Sequence, residues 1–138
     1  MSKLYVLDAC ALIAVLSEEE GADKVVEVYT EAASDNAELV MNVMNLLEVY
    51  YGDYRAHGKD AANKMVAALK TSLIRIVFEI NDDIFAEAGR LKATYKISLA
   101  DAIALAQTKA VNGILLTADH HEFDVVEKSE PIQFLWIR

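Results

Sequence analysis

From Leu4 to Leu16 every residue is apolar except Asp8. The run is too short to cross a bilayer as a helix, so it has to be buried in a folded chain, and it takes one carboxylate with it. Leu4–Leu7 reads as a buried strand and Ala9–Leu16 as a helical stretch, which puts Asp8 where one gives way to the other. An ionised carboxylate in apolar surroundings costs several kcal/mol unless hydrogen bonds or a cation compensate it. The plain reading of Asp8 is the N-cap of the following helix, a position that favours Asp.

The alternation continues along the chain. An amphipathic helix over about 22–33 enters after Gly21, carries Val25, Val26, Val28 and Tyr29, and leaves at Ser34-Asp35-Asn36. Leu39-Val40-Met41 is a short strand and Asn42 a candidate cap, followed by a helix through Met44, Leu47, Tyr50, Tyr51 and Tyr54 that closes at His57-Gly58. Further on come a helix over about 60–73, a β-branched strand over Ile74–Ile80, and a helix over about 82–95 with Ile84, Phe85, Ala88 and Leu91 as its stripe. Residues 100–112 form another helix, Gly113–Thr117 a strand, Asp119–Val126 a turn and short helix, and Ile132–Ile137 the last strand after Pro131. The order is β-α-α-β-α-α-β-α-α-β-α-β. Continuously apolar strands between helices predict an α/β chain, one domain over residues 1–138 with a central parallel sheet of about five strands flanked by helices. Sites on such sheets lie at the carboxyl ends of strands, near the reversal of strand order. Asp8 and Asp119 both occupy such ends.

Composition limits the function classes. At 138 residues, 54% hydrophobic and 25% charged, the chain has the make-up of a soluble globular domain with a real core. It opens Met-Ser-Lys and passes directly into strand-like sequence, without the basic region and cleavage site of a secretory signal. This predicts a cytoplasmic protein with no membrane partner, and the single Cys10 agrees, since it allows no intrachain disulfide and reads as a small buried hydrophobe. A net charge of −9 argues against a general nucleic-acid binder. The charge is uneven, however: Glu18, Glu19, Glu20, Asp23 and Glu27 form an acidic patch, whereas Arg55, Lys59, Lys64, Lys70, Arg75, Arg90, Lys92 and Lys96 gather basic charge in the middle. That basic region is either a local rim or a solvated helix surface.

Three other acids stand out, and each has an ordinary explanation when taken singly. Asp101 follows Ser98 at the spacing of a capping box. Glu48 shares a helix face with Asn45, Gly52 and Arg55, as an exposed acid would. Asp119 follows Thr117-Ala118 after a strand, where a turn or cap Asp is common. Taken together they are harder to explain as caps. Two carboxylates about 4 Å apart repel by roughly 4 kcal/mol at an effective dielectric near 20, so a cluster must be protonated, spread or neutralised by a cation. Oxygen-rich acidic groups suit Mg²⁺ or Mn²⁺, which can activate water and stabilise charge on a phosphoryl group.

Val6-Leu7-Asp8, Asn42 with Glu48 six residues on, Ser98-Leu99-Ala100-Asp101-Ala102, and Thr117-Ala118-Asp119 followed by Glu122-Phe123 resemble the ordered motifs of PIN-domain nucleases. The compact length and the Glu-Phe pair resemble in particular the VapC-type toxins of toxin–antitoxin systems. The resemblance covers nearly the whole chain. It implies a PIN-like parallel sheet on which Asp8, Glu48, Asp101 and Asp119 converge on one or two divalent ions, Mg²⁺ or Mn²⁺. It also implies metal-dependent endonucleolytic hydrolysis of single-stranded RNA, leaving a 5′-phosphate. Asp8, Asp101 and Asp119 would be metal ligands, directly or through water, and Glu48 would orient the water or a second ion. Thr117 and Ser98 would support them through their hydroxyls, with Asn42 as a further polar support. As partners the family implies a homodimer and a small antitoxin, for which the apolar helices at 9–16 and 43–54 could offer a groove. Ala9 and Cys10 depart from the hydroxyl-bearing or amide residue usual just after the first Asp, and Asn42 stands where Ser or Thr is frequent.

Arg55, two turns after Glu48, reads either as a bidentate phosphate donor or as a solvated arginine. His120 and His121 read as exposed turn residues, and Glu122 and Asp124 as outer acids or surface charge. Tyr50, Tyr51, Tyr54, Phe85 and Trp136 read as core. Two other function classes remain open on sequence: an inactive PIN fold that binds RNA or protein without cutting, and a phosphotransfer enzyme with Asp8 as nucleophile. The second lacks a further acid two residues after Asp8.

Overall fold

A computed structural model describes residues 3–138. Met1 and Ser2, which open the start discussed above, lie outside the described residues. The elements run β1 (Lys3–Leu7), α1 (Ala9–Leu16), α2 (Ala22–Ala33), β2 (Ala37–Asn42), α3 (Val43–His57), α4 (Lys59–Lys70), β3 (Ile74–Val77), α5 (Asp82–Thr94), α6 (Leu99–Ala110), β4 (Ile114–Thr117), α7 (His120–Ser129) and β5 (Gln133–Trp136). This is the order expected from the alternation of apolar strands and helices.

All strands pair in parallel, in the spatial order β3-β2-β1-β4-β5. From central β1 the chain moves outward through β2 to β3 on one side and later through β4 to β5 on the other. The reversal therefore falls between β1 and β4. Side chains alternate between two cores with the period of two that a strand dictates. Tyr5, Leu7, Leu39, Met41 and Leu116 pack on one face with Leu12, Val25, Leu46 and Leu69 from the first four helices. Val6 and Leu115 pack on the other with Leu91, Leu105, Phe123 and Val126 from the last three. Burial on both faces is why the strands are continuously apolar.

Turns follow local chemistry. Gly58 closes α3 as expected, at φ +91°, its N–H donating to the Tyr54 carbonyl at 2.9 Å. At Gly113 a Cβ would lie 2.8 Å from the Leu4 carbonyl oxygen, so the approach of β4 to β1 requires glycine. The helix α4 ends at Lys70 rather than near residue 73, because the Thr71 and Ser72 hydroxyls donate to the Ala68 and Leu69 carbonyls.

Several expectations need correction. β3 stops at Val77, and Phe78 beyond it is 61% exposed; the chain leaves the sheet where the Glu79 carbonyl turns to accept Asn42 Nδ2. Phe85 is 75% exposed and Tyr51 and Tyr54 are exposed, so none belongs to the core. Tyr50 and Trp136 are only half-buried. His120 and His121 are exposed but open α7 rather than forming a turn.

Candidate active site

The acids mark the carboxyl edge of the sheet. Asp8 ends β1 and caps α1: Oδ1 accepts the Ala11 N–H at 2.8 Å, and Oδ2 accepts the Thr117 hydroxyl at 2.5 Å from the end of β4. It is only 2% exposed. The capping expectation for Asp8 therefore holds. Burial pushes the Asp8 carboxyl up to about 7, against the pull of those two hydrogen bonds and with the charges of Asp119 and Glu48 adding to the rise. Thr117, fully buried, also accepts the Asp119 N–H at 3.1 Å, so one hydroxyl ties the ends of β1 and β4 at the switch point. Asp119 in turn caps α7, its Oδ1 accepting the Glu122 N–H at 3.2 Å.

Asp101 sits in the first turn of α6, where Ser98 Oγ accepts its N–H at 3.1 Å. Only half of the expected capping box is formed, because the Ser98 N–H donates to Glu122 Oε1 at 3.3 Å. Glu122 thus takes the reciprocal arm and leaves the Asp101 carboxylate out of the box. Burial raises the Asp101 carboxyl to about 7, opposed by a hydrogen bond with Ser98 and aided by Asp119, Asp8 and Glu122. Glu48, half-buried on α3, is raised by burial and by Asp119.

Asp8, Glu48, Asp101 and Asp119 are therefore electrostatic neighbours drawn from four separate elements. Among the described residues none of the four is ion-paired to a lysine or arginine. Nor does any group of three His, Cys, Asp or Glu side chains already stand in position to hold an ion. The donor set fits a hard divalent cation, since it is all oxygen, partly buried and without a competing basic side chain.

Other residues fall outside this cluster. Arg55 is exposed with its guanidinium 5.0 Å over the Tyr51 ring, and no ion pair joins it to Glu48. His120 stacks on Trp136 at 3.8 Å and bonds Asp124 Oδ1 and the Arg138 carbonyl. Burial first, then Asp8, pushes the Cys10 thiol up to about 11, so it stays protonated; it is half-buried rather than the buried hydrophobe expected. Asn42 caps α3 through the Met44 N–H and bonds Gln107 of α6. Asn45 escaped the sequence reading: it is fully buried and donates Nδ2 to the Ala100 carbonyl at 3.0 Å. Its only signal was a place on the helix face of Glu48.

The fold and the acid cluster together define a parallel α/β protein with an anionic site at its switch point. The chain belongs to the PIN domain family, whose pattern matches residues 5–129. No curated protein matches the chain. Among solved structures it is similar to a chain of VapBC-1 from nontypeable Haemophilus influenzae, at 18% identity and a TM-score of 0.72, covering 97% of this chain and 98% of that one. It is similar to a chain of DNA-bound VapBC from Salmonella typhimurium at 13% identity and a TM-score of 0.73, over 100% of both chains. VapC20 of Mycobacterium tuberculosis, described as a sarcin-ricin loop cleaving toxin, matches at 15% identity and a TM-score of 0.68, over 88% of this chain and 94% of that one. The chain thus shares its fold with these chains. Among the described residues no helix is long and apolar enough to cross a membrane.

Proposed function

We propose that the chain is a cytoplasmic, Mg²⁺- or Mn²⁺-dependent endoribonuclease, the toxin of a VapBC-like toxin–antitoxin pair. The observation that carries this reading is the unpaired acid cluster at the carboxyl edge of the sheet: burial first, and then neighbouring acids, raise Asp8, Glu48 and Asp101, and no lysine or arginine offsets them. Asp8, Asp101 and Asp119 would hold the ion and Glu48 would orient the attacking water. When bound, the ion would supply a water activated at neutral pH and positive charge for the phosphoryl oxygens. The chain's own part is orientation. Thr117 and the Ala11 N–H fix both oxygens of Asp8, Ser98 fixes the turn that presents Asp101, and the Glu122 N–H fixes Asp119. The raised carboxyls give up their protons on loading, so ion binding should release protons and strengthen with pH.

The antitoxin proposal draws on the toxin–antitoxin complexes among the similar structures. Rather than lying between the helices at 9–16 and 43–54, an apolar groove of about 450 Å³ runs between α3 and α4, lined by Leu46, Leu47, Tyr50, Val66, Ala67 and Phe78, and suits an amphipathic helix. We propose a homodimer as the state that binds it. Ala9 and Cys10, which put no hydroxyl or amide side chain just after Asp8, favour a second reading, an inactive PIN fold that binds RNA or protein. Calorimetric titration with Mn²⁺ separates the two. The enzyme reading expects binding by the wild type that Asp8→Asn, Asp101→Asn and Asp119→Asn each weaken; a wild type that takes up no ion supports the binding module.

A further inference from the structure

The helices that carry Glu48 and Asp101 are joined by a seam of buried amides. Asn42, the cap of α3, gives Nδ2 to Gln107 Oε1 of α6 at 3.1 Å. One turn along α3, Asn45 gives Nδ2 to the carbonyl of Ala100, the residue before Asp101, at 3.0 Å. A carbonyl needs a donor, so this bond also settles which end of the amide is which. The other end, Asn45 Oδ1, is buried and has no hydrogen-bond partner among the described residues.

Neither end of this amide is needed to satisfy the helix backbone. Ala100 lies in the first turn of α6, where its carbonyl already accepts an intrahelical bond, so the bond from Asn45 is a second one. A buried amide oxygen with no partner costs stability that an apolar side chain would keep. The seam nevertheless sits between the two elements whose acids must meet, one turn before Glu48 and against the residue before Asp101.

We infer that Asn45 is a positioning residue for the acid cluster. It clamps the first turn of α6 to α3 so that Asp101 and Glu48 address one ion, and its free Oδ1 is the acceptor that a water of the loaded site completes. This rests on the metal-nuclease reading.

The test is Asn45→Leu, which keeps the branched shape and removes both polar ends, with Asn45→Ala beside it in case Leu overfills the site. Three quantities are read on each and on the wild type without and with Mn²⁺: melting temperature, Mn²⁺ affinity by calorimetry, and amide hydrogen exchange in the first turn of α6. At least one variant should melt, metal-free, at or above the wild type, bind Mn²⁺ about 10-fold or more weakly, and exchange faster at Asp101 and Ala102. Wild-type affinity in both variants would overturn the inference. So would a large fall in melting temperature in both, because the amide would then be a requirement of the fold. A wild type that binds no Mn²⁺ would overturn the metal-nuclease reading and this inference with it; loss confined to the variants leaves that reading standing.

Discussion

Replacing Asp8 by Asn should stabilise the metal-free protein, by an amount that grows with pH. Asn can keep the cap to the Ala11 N–H through Oδ1 and face the Thr117 hydroxyl with Nδ2, so the local bonds largely survive. What changes is the charge. Burial raises the Asp8 carboxyl from 3.8 to about 7 in the folded chain. Between those values the folded protein holds a proton that the unfolded chain gives up. Its contribution is therefore fully present below the unfolded value and is lost as pH climbs through about 7. A separation of about three pH units, at about 1.36 kcal/mol each, is worth on the order of 4 kcal/mol. Urea unfolding in EDTA at about pH 5 and about pH 8 reads it directly. Part of this is already lost at about pH 5, above the unfolded value, so the stability of Asp8→Asn relative to wild type should rise by about 2.5 kcal/mol between the two. Saturating Mg²⁺ should then restore the wild type alone, by about 2.7 kcal/mol at a hundredfold excess over Kd. A variant less stable than wild type by the same amount at both pH values would refute this, and Asp8 would be only a helix cap.

Three further outcomes are expected. Thr117→Val removes the hydroxyl shared by Asp8 Oδ2 and the Asp119 N–H; it should cost about 1–3 kcal/mol in urea unfolding and depress Mn²⁺ affinity in calorimetry. Gly113→Ala brings a Cβ to within 2.8 Å of the Leu4 carbonyl oxygen and should destabilise by about 1–3 kcal/mol without changing metal affinity. Phe78→Glu puts a charge on the rim of the α3–α4 groove. It should weaken capture of a cognate antitoxin about tenfold or more while RNA cleavage is kept, and unchanged capture would move the antitoxin elsewhere.

The order of elements was legible because a parallel sheet covered on both faces needs strands without polar interruptions, as at Leu4–Leu7 and Leu39–Met41. Asp8 was legible for a related reason: a lone carboxylate in an apolar run has few places to go. Helical faces were harder. Phe85 lies next to Ile84, and periodicity does not say which of two adjacent apolar residues points inward; packing on α6 buries Ile84 and leaves Phe85 in solvent. Tyr51 and Tyr54 follow the same logic on α3. The cap of α6 was half legible, since Ser98 and Asp101 are local, whereas the acceptor of the Ser98 N–H is Glu122 on a later helix. Asn45 could not be read, because only the arrival of Ala100 from α6 makes its amide more than a polar residue on a helix.

If the four acids form a metal-dependent nuclease site, cleavage must depend on both the ion and Asp101. The most direct measurement is cleavage of a defined panel of single-stranded RNAs by wild type and Asp101→Asn, purified in parallel and assayed with Mg²⁺, Mn²⁺ or EDTA. The account predicts cleavage by the wild type with either metal, none in EDTA, and none by Asp101→Asn at matched folding. Equal cleavage by both proteins, or wild-type cleavage that survives EDTA, would contradict it.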